Sequence, residues 1–234
     1  MEKKNRVLIY LIKITGVFLL LSNSCSKDNS IGPTVTDING NVYHTITIGT
    51  QVWMVENLKT TRYRDGDSIG TTNPATYNIF GESTPKYQWA YNGDENNIAA
   101  YGRLYTWHAV TDERNICPIG WHIPGDSEWE TLTSYLGSED VAGGKLKETG
   151  TIHWQSPNTG ATNETGFTAL PGGHRYQTGV FNHIGIWGYW WSSSEYDTEY
   201  AWYCSLLNDH IMINRNVADK HFAFSVRCIK DQTI

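Results

Sequence analysis

The chain has 234 residues, room for one large domain or two small ones, and its 18 Lys and Arg against 24 Asp and Glu leave a net charge of −6. No basic stripe offsets that balance, which argues against nucleic acid as a partner. The four cysteines form no Cys-x-x-Cys pair and the eight histidines no His-Glu-x-x-His pattern, so the usual zinc-ligand spacings are excluded.

The first element is a leader. MEKKNR is basic, VLIYLIKITGVFLLL is apolar apart from Lys13 and Thr15, and LSNSC closes on small residues. A charged start, an apolar run of about 15 residues and small residues before a cut site predict a secretory signal over residues 1–24. A membrane-crossing helix needs about 20 apolar residues and Lys13 interrupts this run, which leaves an uncleaved anchor as the alternative. Cys25, preceded by Ser-Asn-Ser, resembles the cysteine of a bacterial lipobox. That resemblance implies cleavage before Cys25, lipid on its thiol, and a lipid-anchored protein of the cell outer membrane. Each buried methylene of such a lipid contributes about 0.8 kcal/mol, so several acyl chains anchor stably. Ser26-Lys27-Asp28-Asn29 is similar to the short export signals of Bacteroidetes surface lipoproteins, and residues 25–35, with Gly32-Pro33, read as a polar tether. Residues 1–24 carry four basic side chains and one acid, so their removal takes the net charge from −6 to −9. An exported chain meets oxidising conditions, and the remaining Cys117, Cys204 and Cys228 predict one disulfide and one leftover thiol.

Composition is even from residue 36 onward, so residues 36–234 are read as one domain. Asn39-Gly40 is a strong hairpin turn. Val42 to Ile48, Gly49-Thr50 and Val52 to Met54 predict a β-hairpin. Residues 64–98, rich in Asp, Asn, Gly and Pro, read as long loops, and Tyr101 to Val110 as strand or short helix. A helix follows, capped at Gly125 or Asp126, with Glu128 and Glu130 near its positive end, Trp129, Leu132 and Leu136 on one face, and Gly137 as its stop. A second short helix is expected over Val141 to Glu148 and loops from Trp154 to Gly166. Strand-like runs then cover Tyr200 to Leu207, His210 to Asn214 and His221 to Lys230, the last with Phe222, Phe224, Val226 and Cys228 on one face. This order predicts an α+β fold with helices gathered against an antiparallel sheet.

Seven stretches, DINGNVYHTITIGTQVWMVENLKT, YGRLYTWHAV, CPIGWHIPGDSEWETL, GGKLKETG, TGFTALPGGHR, GYWWSSSE and FSVRCIKD, closely resemble the Fibrobacter succinogenes major paralogous domain, from Thr36 to Asp231. The resemblance implies an exported or lipoprotein domain of Bacteroidetes and Fibrobacteres, a family with no general activity established. Cys117, Gly120, Ile123, the Pro-containing turn and the acid in the first helical turn are also similar to the first helix of C-type lectin-like domains, and HIPGDSEWETL to formylglycine-generating-enzyme-like domains. Those similarities imply a C-type-lectin-like domain whose long loops carry function. They further imply a Cys117–Cys228 disulfide, with Val226-Arg227-Cys228 as the closing strand, and core roles for Trp121 and Trp129; Cys204, in the probable strand AWYCSLL, is then expected to be a free, buried thiol.

All ten tryptophans lie outside the leader. Flat aromatic faces suit sugar rings, and the densest cluster is Trp187, Tyr189, Trp190 and Trp191, followed by Ser192 to Ser194 and Glu195, with His174 and Arg175 shortly before. His174, Arg175, Tyr189, Trp191 and Glu195 are therefore the candidate ligand-binding residues, against core packing as the plainer reading. Trp190 and Trp191 would face opposite sides of a strand, which puts at least one of them in the core. Asn92 to Asn97 offers oxygens for calcium, but without the spacing of a known calcium loop, so a solvated turn is the default and no metal is expected. Arg227 is expected to pair with Glu128 or another acid. Gly-x-Ser-x-Gly, Walker A and Gly-x-Gly-x-x-Gly motifs are all absent, so no catalytic residue or cofactor is expected, with paired acids of a glycosidase as the open exception. The expected role is a non-catalytic envelope module that binds glycan, or alternatively a structural or adhesin-type module that binds an envelope protein.

Overall fold

Residues 31–232 are described by the computed structural model, so the leader, Cys25 and the start of the tether lie outside it. β1 (Ile31–Thr36) pairs antiparallel with β2 (Val42–Ile48) around the Asn39-Gly40 turn. Asp37 holds that turn: its carboxylate accepts from the backbone N–H groups of Asn39 and Asn41, both at 2.9 Å, and from the Tyr43 hydroxyl at 2.6 Å. Residues 31–35, expected in the tether, are thus part of the sheet. Pro33 fits there because β1 is an edge strand whose register shifts between Gly32 and Val35. β3 (Gln51–Met54) completes the predicted hairpin.

The remaining strands are β4 (Gln88–Trp89), β5 (Leu104–Thr106), β6 (Trp121–His122), β7 (Gly172–Arg175), β8 (Phe181–Ile184), β9 (Trp187–Glu195), β10 (Tyr200–Leu207), β11 (Ile213–Asp219), β12 (Ala223–Phe224) and β13 (Ile229–Lys230). One sheet runs β1-β2-β3-β13-β6, entirely antiparallel. The other runs β11-β10-β9-β7-β12-β5-β4, with β8 paired to β7. β7 and β9 run parallel, meeting at the Gly173–Gly188 bridge. Gly173 adopts φ 65°, and a Cβ there would collide with the Asn182 carbonyl, so a glycine is required where β7 turns against β8.

The segment Tyr101 to Val110 resolves both ways. It ends α1 (Ile98–Tyr101), forms β5 and then α2 (Trp107–Val110). α3 (Asp126–Tyr135) starts at the expected cap, where the Gly125 N–H donates to Glu128 Oε2 at 2.8 Å. It buries Trp129 and Leu132 and stops before Gly137, whose φ is 117°. α4 (Glu139–Leu146) begins two residues earlier than expected, with Glu139 and Asp140 in its first turn. β11 lies later than the expected 210–214 run. The predicted strand 221–230 is divided between the two sheets, because Ser225 bonds β9 while Val226 and Cys228 bond Leu58 and Met54.

β9 is the spine of the core. Trp190 and Trp191 face opposite sides, and both are buried. Trp190 packs with Trp129, Leu132, Leu146, Cys204 and Leu206 in the core under the helices. Trp191 packs with Tyr105, Phe224, Val226 and the disulfide in the other. Each indole N–H is satisfied, by Asn57 Oδ1 at 2.9 Å and by the Tyr105 carbonyl at 2.8 Å. Cys117 and Cys228 form the disulfide, with Cα atoms 6.0 Å apart and a sequence separation of 111. On a chain-entropy model a loop of that length stabilises by about 4–5 kcal/mol. Cys204 is a free, buried thiol, and burial pushes its pKa well up.

Arg227 does not meet an acid. It is fully buried, donating to Asn57 Oδ1 at 3.0 Å and to the carbonyls of Phe167 and Thr168, with its guanidinium 4.1 Å from the Phe167 ring centroid. Glu128, its expected partner, is taken by His122 and the helix cap. The folded body is therefore a mixed α+β domain of mainly antiparallel sheets with a few short helices, α3 and α4 packed in the Trp190 core and α2 in the Trp191 core.

Candidate functional site

On the Tyr189 face of β9, opposite α3 and α4, the sheet opens into a cleft of about 430 Å³. Three strands build it by alternation. Tyr189 from β9 and Tyr203 from β10 lie on the same face, with ring centroids 5.8 Å apart, because Tyr203 pairs with Trp191 two residues along. Phe224 of β12 stacks under Tyr189 at 5.0 Å and 15°. Phe222, Tyr176 and Tyr200 form the walls. Phe222 and Tyr176 meet edge to face at 4.9 Å and 90°, the geometry that aromatic quadrupoles prefer.

His174 stands among these rings, 4.5 Å from Tyr176 and 4.8 Å from Tyr189, and is 3% exposed. Burial, with the neighbouring His183, pushes its pKa down to about 4, so the ring is neutral at pH 7. Its Nδ1 is buried without a hydrogen-bond partner, and so are Gln177 Oε1 in the cleft wall and Nδ1 of His183, whose ring is 5.2 Å from His174. Half of the six orphaned buried side-chain atoms found among the described residues thus gather on the β7–β8 hairpin. Burial pushes the Tyr189 pKa up, which keeps its phenol protonated.

Residues 46–230 match the family model described as the Fibrobacter succinogenes major domain. The chain belongs to this family. No curated protein and no solved structure matches it.

Within this Fibrobacter succinogenes major domain, two of the five candidate residues, His174 and Tyr189, line the cleft. The other three do not. Trp191 is fully buried beneath the floor, 4.3 Å from Phe224. Arg175, also fully buried, turns away on the other side of β7. It donates to the carbonyls of Ala75, at 3.0 Å, and of Tyr77, and stacks 3.9 Å over Trp89. Its fork braces the loop at Ala75 and does not line the cleft. Glu195 lies outside the cleft, ion-paired with the buried Lys220, which also donates to the Asp197 and Thr198 carbonyls. Sequence reasoning missed Tyr176, Gln177, Tyr203 and Phe222. The alternation of Phe222 and Phe224 was the available signal, but it marked a core face as well as a cleft.

The Asn92 to Asn97 loop uses its oxygens locally. Asp94 Oδ1 accepts from the Asn96 backbone at 3.0 Å and side chain at 2.8 Å, and Glu95 pairs with Arg103. Among the described residues, no group of three or more His, Cys, Asp and Glu is placed to hold a metal ion, and no helix is long and apolar enough to cross a membrane.

Proposed function

We propose that this domain is a non-catalytic glycan-binding module of the cell envelope. The observation that carries the reading is the aromatic cleft with unpartnered polar atoms of His174 and Gln177 in its wall. A sugar ring has an apolar face that stacks on rings such as Tyr203 and Phe222, and hydroxyls that both donate and accept. A buried polar atom without a partner costs about 1–3 kcal/mol, and a ligand hydroxyl that reached it from the cleft would remove that cost. Because His174 is neutral, it offers one N–H and one lone pair, which a hydroxyl can match on either side.

Support for a C-type-lectin-like arrangement comes from the adjacency of the first strands to β13 and from the Cys117–Cys228 bridge. The envelope setting rests on the leader and on lipid attachment at Cys25, as an anchor to the outer membrane. Cys25→Ala should move the protein from the membrane fraction to the soluble one; continued membrane association would mean that the leader stays on as the anchor.

One observation favours the protein-binding alternative. A smaller hollow of about 280 Å³ is lined by Val35, Ile38, Ile116, Pro118 and Ile119, and Ile119 is 89% exposed at its edge. Exposed apolar side chains grouped in this way suit a protein contact. A glycan array probed with the full-length chain, in calcium and in chelator, separates the two. Selective binding that survives chelator is expected, since the acids of the Asn92 to Asn97 loop already have partners in the protein. A blank array from folded protein would overturn the glycan reading in favour of a protein partner.

A further inference from the structure

We propose that the aromatic cleft is one end of a longer groove that takes an extended polysaccharide, with His108 as the polar contact at its far joint. This rests on the glycan reading of the cleft and adds the length and course of the ligand. Three hollows follow one another along the surface and share walls. Asp219, at the end of β11, lines both the aromatic cleft and a second hollow of about 380 Å³. The turn that follows it, closed by the Phe222 N–H on the Asp219 carbonyl at 2.9 Å, sends Phe222 into the first hollow and His221 into the second. His108, in α2, then lines both the second hollow and a third of about 500 Å³ beside Lys86 and Arg114. The His108 and His221 rings are 6.0 Å apart.

The chemistry changes along this course as a polysaccharide would use it. The first hollow is built of rings and suits stacking. The second sets the exposed Phe80 beside Ser83 and Glu199, and the third is polar, with Thr84, Asp112 and Glu113 in its lining, and suits hydroxyls. Of the two histidines at the joint, His221 is already occupied: Nδ1 lies 2.7 Å from Asp219 Oδ1 and Nε2 lies 2.6 Å from the Glu82 carbonyl. His108 has only ring contacts, with Trp107 and His221, and no hydrogen-bond partner among the described residues. Burial, and the nearby His221, Lys220 and Lys86 charges, push its pKa down to about 4. It therefore presents one donor and one acceptor at neutral pH, the pair that a hydroxyl satisfies. A ligand confined to the aromatic cleft would leave it unused.

Calorimetric titration of the full-length chain, held in a detergent without a sugar headgroup, tests this. The probes are β-1,4-linked gluco-, manno- and xylo-oligosaccharides from disaccharide to hexasaccharide. Affinity should climb with length, and His108→Ala should weaken the hexasaccharide by about fivefold, the worth of one or two hydrogen bonds, while leaving the disaccharide unchanged. A binding series with no length dependence, or a hexasaccharide indifferent to His108→Ala, overturns the extended groove and leaves the aromatic cleft standing. No binding at any length counts against the glycan reading itself. The wild-type length series decides the matter even if the variant folds poorly.

Discussion

His174 is a side chain that is costly to the fold and that the proposed function puts to use. Its imidazole sits in a ring of aromatics with Nδ1 unpartnered, and its pKa is pushed down to about 4 by burial and by His183. In the unfolded chain a histidine titrates near its ordinary value of about 6.5. Between those two values the unfolded state binds the extra proton, so stability is full above the ordinary value and is lost as pH falls toward 4. The whole effect is of order 3 kcal/mol. His174→Phe should flatten the fall in thermal midpoint between neutral and mildly acid pH and should abolish glycan binding. An unchanged acid slope would show that the acid sensitivity lies elsewhere, with His108 the next group to examine. At this scale the sequence was partly legible. "GGHR" beside an aromatic run pointed to His174 and Tyr189. It also pointed to Arg175, whose neighbour on the strand faces the cleft while Arg175 itself faces the loop at Ala75. Residue type alone does not tell the two faces of β7 apart.

The elements were legible where their period was clean. The β2–β3 hairpin alternates around Gly49, and α3 carries an N-terminal cap, a helical apolar face and a glycine stop, so both lie where the pattern put them. The stretch from Ile116 to Leu132 is a clasp. Its cysteine reaches Cys228, the carbonyls of Cys117 and Pro118 accept from Arg64 at 2.6 and 2.7 Å, and His122 lies between Glu128 and Asp231. The β7–β8 hairpin was not legible, because Gly173, which reads as a turn residue, is instead required by the close approach of β7 to the Asn182 carbonyl. The strand expected over 221–230 was a real alternation crossing between two sheets, a change that only the partners Tyr189, Trp191, Leu58 and Met54 define. β1 escaped notice because Gly32-Pro33 reads as a break, although an edge strand tolerates proline.

At the scale of the whole molecule, the abundance of tryptophan has a structural meaning before a functional one. β9 carries Trp190 into the core beneath the helices and Trp191 into the core around the disulfide, so the densest aromatic run is mainly a double-sided spine. The cleft is what that spine leaves open, floored by Tyr189 and Phe224 and walled by rings from β7, β10 and β12. A family model covering residues 46–230 assigns the domain, and the proposed glycan binding rests on this one surface. The measurement that tests it most directly is a chemical-shift titration of isotope-labelled protein with the glycan that binds best on the array. The account predicts that His174, Gln177, Tyr203 and Phe222 shift first and farthest, with Ile38 and Ile119 unmoved. Shifts centred on Ile38 and Ile119, with His174 and Gln177 silent, would contradict it.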